Sequence, residues 1–360
     1  MGRKSDRPRT TGVPGPPLGR PPGASGPPSA ASGPVSRSPV SLRPSAAPAR
    51  PTKLGRYEIV AKIAGGGMAS IYLARVADAP EQVVAVKAMR HDLRANENLE
   101  KMFYDEANLQ LRLVHPSIVR TLVLGVVGDQ RYIAIELMLG KTLASVYDAC
   151  VERGLRMEPD IVAYVGARVC EALHHAHELT DDRGRPLAII HRDVNPGNVF
   201  VTFGGEIKLF DFGMAKAAER SAESSPGIVK GKLPYLAPEQ IMQLPLDRRG
   251  DIFGLGTSLW ELLTSTRLFR RDTDVETVRA VHVGPIPEVR SIVKEVPPRL
   301  AEIVHRALER NREHRYPTAE AMARELHDFL GERRSLAPPR VGAMLDELFP
   351  GERRRQTGWL

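Results

Sequence analysis

Apolar and polar residues alternate with a period of two over several segments of the first half of the chain. The segments that show this alternation are residues 56–63, 71–76, 83–87, 121–127 and 132–137. The pattern predicts β-strands, because successive side chains of a strand point to opposite faces. Residues 97–114 instead repeat apolar residues at helical spacing, which predicts one helix among these strands.

The pattern becomes helical after residue 142. Helical spacing covers residues 142–152, 159–178, 249–263, 301–310 and 318–329. The segment 249–263 is apolar on most faces, so we expect that helix to be buried. Two short strands, 199–202 and 206–210, interrupt the helical pattern and are joined by a turn at Gly204 and Gly205.

A last helical pattern, VGAMLDELF at residues 341–349, lies in a tail of residues 332–360. It predicts a short amphipathic helix. We expect the tail to pack back on the helical part of the chain, and docking to a partner is the alternative.

Residues 1–52 differ in composition from the rest of the chain. They contain 13 of the 30 prolines and are rich in Gly, Ser, Ala and Arg. Apolar residues are too sparse to offset the entropy of ordering, so the segment is predicted to be a disordered leader. A solvated leader is one interpretation, and a docking or phosphorylation segment is the other.

The net charge of +8 is concentrated in this leader, where eight Lys and Arg residues accompany one Asp. The remaining residues carry only +1, which argues against a nucleic-acid-binding function. The two cysteines, Cys150 and Cys170, form no disulfide framework and no zinc spacing, which fits a reducing cytoplasm. No run of about 18 apolar residues predicts a membrane span.

Three polar clusters lie between apolar runs in residues 189–213, IIHRDVNPGNVFVTFGGEIKLFDFG. The predicted hairpin of residues 199–210 would carry Asn198 and Asp211 to the same end as Asp193. Mg²⁺ prefers hard oxygen ligands and takes the rest of its shell from water and phosphate oxygens. The arrangement predicts a site for a Mg²⁺-nucleotide, and the alternative is three unrelated loop residues.

A glycine-rich segment, AGGGMAS at residues 64–70, separates the first two predicted strands. Glycines let backbone N–H groups approach phosphate oxygens because they lack a Cβ atom. A strand follows the segment and no Gly-Lys-Ser/Thr is present, so it is not a Walker loop. The layout predicts a hairpin that covers phosphates.

The order and spacing of these motifs resemble the protein kinase family. HRD at residues 191–193 is followed by Asn198, DFG stands at 211–213 and APE at 237–239. The layout LTDDRGRPLAIIHRD is similar to that of bacterial Hanks-type serine/threonine kinases, particularly those of myxobacteria. The resemblance covers about residues 57–331.

This resemblance implies an α+β, bilobal fold with ATP in the cleft. The small lobe, about residues 53–140, would hold an antiparallel sheet and one key helix. The larger lobe, about residues 141–331, would be mainly helical. Residues 53–331 would then form a kinase domain between the leader, 1–52, and the tail, 332–360.

The resemblance also implies catalytic roles. Asp193 is the expected base, which orients a Ser or Thr hydroxyl and accepts its proton. Lys87 is expected to position the α- and β-phosphates and to pair with Glu106, whose neighbour Asp105 is the other acid at this place. Asn198 and Asp211 are the expected Mg²⁺ ligands.

Further residues are expected to support the site or to contact the nucleotide. The supporting positions are His191 and Arg192 of HRD, Asp251 as an acceptor of backbone N–H bonds from the catalytic loop, and Glu239 paired with Arg315. The expected cofactors are ATP and Mg²⁺. The expected nucleotide contacts are Ile63, Ala64, Gly65, Gly66, Gly67, Ile71, Ala85, Lys87, Glu136 and Met138.

Several positions depart from the family pattern. Asn195 stands where HRDLKPxN has a lysine, and Lys232 stands where a threonine usually precedes APE. We hypothesise that Lys232 supplies the positive charge lost at Asn195, and we count both among the catalytic residues. Ala64 and Ala69 replace glycines of GxGxxG. These departures leave open a pseudokinase that acts as a nucleotide-binding scaffold, and a small-molecule phosphotransferase is a further alternative.

Residues 211–239 correspond to the activation segment of the family. Ser221, Ser224 and Ser225 are candidate phosphosites whose phosphate Arg192 could clamp. The alternative is a plain flexible loop.

The expected partners are ATP and protein substrates with Ser or Thr, because the AAR-type insert of tyrosine kinases after HRD is absent. No nucleic acid and no membrane span is expected, and a dimer that phosphorylates itself is compatible with the family. The expected location is the cytoplasm.

Overall fold

A computed structural model of the chain describes residues 52–65, 69–90, 97–128, 130–212 and 232–360. All of them fall within the unit Pro39–Leu360. Several sequence predictions lie outside these described residues. They are the leader except for Thr52, the glycines Gly66 and Gly67 of the glycine-rich segment, and the candidate phosphosites Ser221, Ser224 and Ser225.

The small lobe contains a six-stranded antiparallel sheet. Its strands are β1 (Thr52–Leu54), β2 (Tyr57–Gly65), β3 (Ala69–Val76), β4 (Ala79–Met89), β5 (Thr121–Val127) and β6 (Gln130–Glu136). Their order across the sheet is β1-β2-β3-β4-β6-β5. Alternate side chains of β2 are buried, as Tyr57, Ile59 and Ala61 show, so the period-two pattern is confirmed.

Helix α1 (Glu97–Arg112) packs against this sheet. Phe103 and Ala107 on its inner face are buried with Met89 of β4 and Ile133 of β6. The helix ends two residues before the predicted end at residue 114, and Leu113, which follows it, is buried in the core of the larger lobe.

The larger lobe is mainly helical. Its helices are α2 (Leu143–Glu152), α3 (Pro159–His177), α4 (Pro238–Ile241), α5 (Arg249–Thr264), α6 (Asp274–Val283), α7 (Val289–Ile292), α8 (Pro298–Ala307) and α9 (Ala319–Leu330). Thr142 starts α2 and Thr318 starts α9, since each hydroxyl accepts a backbone N–H of the first turn. Nearly every residue of α5 is buried, as its apolar pattern predicts.

A three-stranded sheet carries the polar clusters of residues 189–213. Its strands are β7 (Gly140–Thr142), β8 (Val199–Thr202) and β9 (Ile207–Leu209), in the order β7-β8-β9. Gly205 in the β8–β9 turn has a φ of +86°, and a Cβ there would lie 2.1 Å from the carbonyl oxygen of Pro338. Only glycine fits this turn without strain.

The bilobal α+β architecture expected from the resemblance is therefore confirmed. Among the described residues, no helix has both the length and the apolar character that crossing a bilayer requires.

The tail folds into two helices, α10 (Ala337–Leu348) and α11 (Glu352–Thr357). Val341, Leu345 and Leu348 of α10 are buried in the core of the larger lobe, next to α2 and α3. Helix α11 has no counterpart in the sequence-based prediction.

Candidate active site

The Asp251 carboxylate holds the HRD loop from beneath. It accepts the backbone N–H groups of His191 at 2.9 Å and Arg192 at 2.7 Å, and its Oδ2 lies 2.8 Å from Nε2 of His177. Arg192 has a φ of +66°. A left-handed non-glycine residue costs about 1–3 kcal/mol, so these buried bonds offset strain just before Asp193.

The His191 imidazole links the HRD loop to the DFG segment. Its Nδ1 accepts the N–H of Asp193 at 3.3 Å, and its Nε2 lies 3.0 Å from the carbonyl oxygen of Phe210. This network assigns the proton to Nε2. The ring also contacts Phe212, with the ring centroids 4.5 Å apart.

Two amide side chains orient the buried Asp193 carboxylate. Asn195 Nδ2 donates to Asp193 Oδ1 at 2.9 Å, and Asn198 Nδ2 donates to Oδ2 at 2.8 Å. Both amides also donate to the backbone carbonyl of Asp193, at 2.9 and 2.8 Å. The Asn195 Oδ1 atom accepts the N–H of Gly197 at 2.8 Å, which stabilises the turn at Pro196–Asn198.

The Lys232 ammonium contacts the same carboxylate, at Oδ2 of Asp193. Lys232 lies 39 residues further along the chain, beyond the DFG segment. A cation is thus present beside Asp193 although Asn195 carries none.

Lys87 forms two ion pairs across the site. Its Nζ lies 2.8 Å from Glu106 Oε1 and 2.9 Å from Asp211 Oδ1. Burial by itself would lower the pKa of Lys87, but the charges of Asp211 and Glu106 outweigh it and raise that pKa. The pKa of Asp211 is lowered, because Lys87 outweighs the opposing effect of burial. Lys87 and Asp211 are therefore both charged near neutral pH.

Asn198 and Asp211 come together through the backbone of the small hairpin. Phe210, which precedes Asp211, donates its N–H to the carbonyl oxygen of Asn198 at 3.0 Å. No group of three or more His, Cys, Asp or Glu residues forms a metal cage within the part of the chain that the structure describes. Two oxygen donors still fit Mg²⁺, since water and nucleotide phosphates complete its shell.

The apolar residues expected to contact the nucleotide form one cluster between the lobes. Ile63 and Ala85 of the small lobe and Phe200 of the larger lobe are buried in it. Ile71 and Met138 pack at its edge. Ala64 and Gly65 lie at the end of β2 and pair with Ile71 and Ser70 of β3.

The Glu136 side chain does not belong to this cluster. Its carboxylate accepts the N–H of Arg120 at 2.8 Å and lies 2.9 Å from Nζ of Lys208. The backbone N–H of Glu136 donates to the carbonyl oxygen of Arg120 at 3.0 Å, so only the backbone carbonyl of Glu136 is left to contact a nucleotide.

Glu239 and Arg315, 76 residues apart, form a buried bidentate ion pair. The two N–O distances are 2.6 and 2.8 Å, and the exposed fractions of the residues are 6 and 2 %. The pair joins α4 to the segment between α8 and α9.

Sequence reasoning missed a polar network beneath α4. The Tyr235 hydroxyl donates to Glu261 Oε2 at 2.8 Å, and Arg267 donates to the same oxygen at 2.8 Å. Burial raises the pKa of Glu261, although Arg267 and Tyr235 partly oppose this. No periodic pattern marks such contacts. Sequence reasoning also missed the contact of His177 with Asp251. It missed Gln356 and Trp359 of the tail as well, and these two residues lie at the cleft.

The protein kinase domain model matches residues 57–327. This chain belongs to the protein kinase family. The kinase is 39% identical over 303 residues to the tyrosine-protein kinase MasK of Myxococcus xanthus, covering 83% of this chain and 47% of MasK. It is 32% identical over 289 residues to the serine/threonine-protein kinase PknL of Mycobacterium tuberculosis, and the match covers 80% of this chain and 69% of PknL. The resemblance to bacterial kinases, including a myxobacterial one, is confirmed.

The kinase domain of Mycobacterium tuberculosis PknI is a structural neighbour of this kinase. Its TM-score is 0.59 at 24% identity, covering 78% of this chain and 99% of that domain. The likeness shows the fold. The kinase also matches the probable serine/threonine-protein kinase CPE1738 of Clostridium perfringens at 33% identity, covering 75% of this chain and 38% of that relative. It thus spans less than half the length of MasK and CPE1738.

Proposed function

We propose that this kinase transfers the γ-phosphoryl group of ATP to a Ser or Thr hydroxyl of a protein, with Mg²⁺ as the metal. The proposal rests mainly on the position of the Asp193 carboxylate. This carboxylate is buried, it is oriented by Asn195 and Asn198, and it is contacted by the Lys232 ammonium. A base held in one orientation is what transfer to a hydroxyl requires.

In the proposed reaction the substrate hydroxyl oxygen forms a bond to Pγ, and the bond from Pγ to the ADP oxygen breaks. The hydroxyl proton passes to Asp193. Asn198 and Asp211 would hold Mg²⁺, which neutralises phosphate charge when bound. Lys87, kept in place by Glu106, would bind the α- and β-phosphates. Catalysis then comes from positioning and electrostatics.

The choice of Ser or Thr rather than Tyr as the acceptor is proposed from two observations. PknL and CPE1738 are named serine/threonine-protein kinases, whereas MasK is named a tyrosine-protein kinase. The absence of an AAR-type insert after HRD favours Ser and Thr. Acid hydrolysis of the labelled product identifies the phosphorylated amino acid, and phosphotyrosine as the main product would overturn this part of the proposal.

The transfer itself is tested with γ-labelled ATP, Mg²⁺ and casein as a generic acceptor. Asp193→Asn is expected to lower the rate by about 10²–10⁴-fold, because the base is lost while the shape of the side chain is kept. Asp328→Asn, at an exposed position on α9, is the matched control and should keep the wild-type rate. Equal rates in the two variants contradict the role of Asp193.

A nucleotide-binding scaffold is the second candidate function. It is favoured by Asn195, which lacks the charge of the family lysine, and by Ala64 and Ala69 at glycine positions. ATP binding by the wild-type chain without any labelling of casein or of the chain itself would select the scaffold.

We also place this kinase in the cytoplasm, because Cys150 and Cys170 are both free, buried thiols. The dimer that phosphorylates itself and the three serine phosphosites stay predictions.

A further inference from the structure

The end of the tail lies against the hinge between the lobes. Gln356 of α11 is fully buried, and its side-chain amide makes two hydrogen bonds to Gly140. The Gly140 N–H donates to Gln356 Oε1 at 2.7 Å, and Gln356 Nε2 donates to the Gly140 carbonyl oxygen at 3.2 Å. Both backbone groups of Gly140 are therefore satisfied by the tail, just after the hinge residues 136–138.

Charged contacts fix the same segment to both lobes. Glu352 at the start of α11 lies 3.1 Å from Nζ of Lys141 in β7. Arg75 of β3 donates to the carbonyl oxygens of Trp359 at 3.2 Å and Leu360 at 3.5 Å. Residues 352–360, the cleft segment, thus bridge the larger lobe and the sheet of the small lobe.

The Trp359 side chain reaches the place expected for adenine. Trp359 is only 8 % exposed and belongs to the buried apolar cluster of Ile63, Ala85 and Phe200. Ile63 and Ala85 come from the sheet above the cleft, and Phe200 comes from β8 below it. These residues are 5, 4 and 8 % exposed, so their surfaces toward the cleft are already covered.

We propose that the cleft segment is autoinhibitory: Trp359 occupies the apolar slot that the adenine ring of ATP needs, and the nucleotide binds only after this segment leaves. The inference rests on the proposed function for its physiological meaning. Its physical content is a competition between an indole and a purine for the same slot. The indole of Trp359 and the adenine ring are both flat aromatic groups, and both fit between apolar residues above and below them.

The segment is held by a set of polar contacts and one buried ring. They include the amide pair at Gly140, the ion pair of Glu352 with Lys141 and the hydrogen bonds from Arg75. Arg353 adds a hydrogen bond to the carbonyl oxygen of Phe203 at 2.7 Å and an ion pair with Asp346 of α10, and the Trp359 ring adds the apolar contact. Helix α10, by contrast, is anchored in the core of the larger lobe and would stay in place. The fraction of molecules with an empty slot sets the apparent affinity for nucleotide, since closed molecules cannot bind it.

Calorimetric titration of the full chain with Mg·ADP tests the competition without requiring phosphoryl transfer. Trp359→Ala and Gln356→Ala should each bind Mg·ADP about tenfold or more tightly than the wild-type chain, because each shifts the population toward the open state. Arg354→Ala is the matched control, since Arg354 is exposed on the same helix. It should bind like the wild-type chain.

Unchanged or weaker binding in both tail variants overturns the proposal, and weaker binding would mean that Trp359 completes the nucleotide site. Absence of binding in all variants overturns it as well. Tighter binding in the tail variants with no casein labelling would leave the autoinhibitory contact standing while the catalytic proposal fails. Casein labelling together with equal Mg·ADP affinities of the wild-type chain and the tail variants would support the catalytic proposal and contradict the autoinhibitory contact.

Tryptophan fluorescence gives a second readout. The chain has two tryptophans, and Trp260 is buried in α5, where its Nε1 donates to the carbonyl of Pro287 at 2.9 Å. In a Trp260→Phe chain, Trp359 is the sole reporter. Saturating Mg·ADP should shift its emission to longer wavelength as the indole enters water. An unchanged spectrum at saturation contradicts displacement.

Discussion

Asn195 and Lys232 contact the Asp193 carboxylate from two different segments. Asn195 supplies hydrogen bonds but no charge, whereas Lys232 brings an ammonium group. A cation at this place stabilises negative charge that develops on the transferred phosphoryl group, so its effect is expected mainly on the transition state. At the scale of single residues, the departure at Asn195 need not abolish activity.

Replacement of Lys232 by alanine should lower kcat/KM by about 10²-fold, the usual effect of removing one group that stabilises transition-state charge. Steady-state kinetics with varied ATP and peptide measures it. Lys294→Ala, at an exposed position, is the control. Asn195→Lys added to Lys232→Ala should restore part of the loss. An unchanged kcat/KM for Lys232→Ala would refute the compensation.

The family resemblance predicts that Lys87 pairs with Glu106, and the two side chains do lie together, with Asp211 as a second partner of Lys87 that was not predicted. It could predict this because a shared family pattern relates distant positions. The contacts of His177 with Asp251 and of Tyr235 with Glu261 leave no such trace. They depend on the packing of helices that approach each other only in the folded chain.

Among the secondary-structure elements, α4 depends on its surroundings for stability. It has only four residues, and a helix of that length is not stable alone. The buried pair between Glu239 and Arg315 fixes it to the larger lobe. Since α4 follows the segment that carries Lys232, this pair also supports the position of that lysine.

Arg315→Leu should therefore lower the free energy of unfolding by about 3–5 kcal/mol, because it leaves the Glu239 carboxylate buried without a partner. Urea unfolding followed by circular dichroism measures the change. Arg324→Leu is a matched control, since Arg324 pairs with Glu320 at the surface with a side chain 68 % exposed. That exposed pair is expected to contribute less than about 1 kcal/mol. Equal losses in the two variants would be inconsistent with a structural role for the buried pair.

Local pattern predicts most elements well, because periodicity reports which face of a strand or helix is buried. The β8–β9 hairpin and α1 were accessible in this way, with small errors at their ends. Helix α11 was not accessible. Its sequence, ERRRQT, has no apolar face, and contacts of Glu352 and Gln356 with the hinge region stabilise it.

Across the whole molecule, a histidine pair joins the loop after α1 to helix α3. The rings of His115 and His175 stack with centroids 5.2 Å apart. His115 Nδ1 accepts the N–H of Ser117 at 3.1 Å, which requires that nitrogen to be unprotonated. Burial lowers the pKa of both residues, and His175 further lowers that of His115 while His174 further lowers that of His175.

This pair should make stability fall with acid. The unfolded chain has ordinary histidine pKa values near 6.5, so below about pH 6.5 it binds protons that the folded chain excludes. The stabilising contribution is therefore full above that pH and is lost as the pH falls toward the folded-state pKa values. Urea unfolding between pH 7.5 and 5.5, a window set around the unfolded-state value, should show a shallower slope for His175→Gln than for the wild-type chain. His314→Gln, at an exposed position, should keep the wild-type slope. Identical slopes in all three proteins would rule the pair out as the source.

The Trp359 contact changes how chemical probes of this enzyme would be ranked. A compound that enters the apolar slot of Ile63, Ala85 and Phe200 must first displace the indole. Potencies measured on a chain that lacks only the cleft segment, residues 352–360, would then overstate potencies on the 360-residue chain. Compounds that bind the tail in place, for example across Gln356 and the hinge, would stabilise the closed form without entering the slot. Since ATP binds only the open form, such compounds and ATP would still lower each other's apparent affinity.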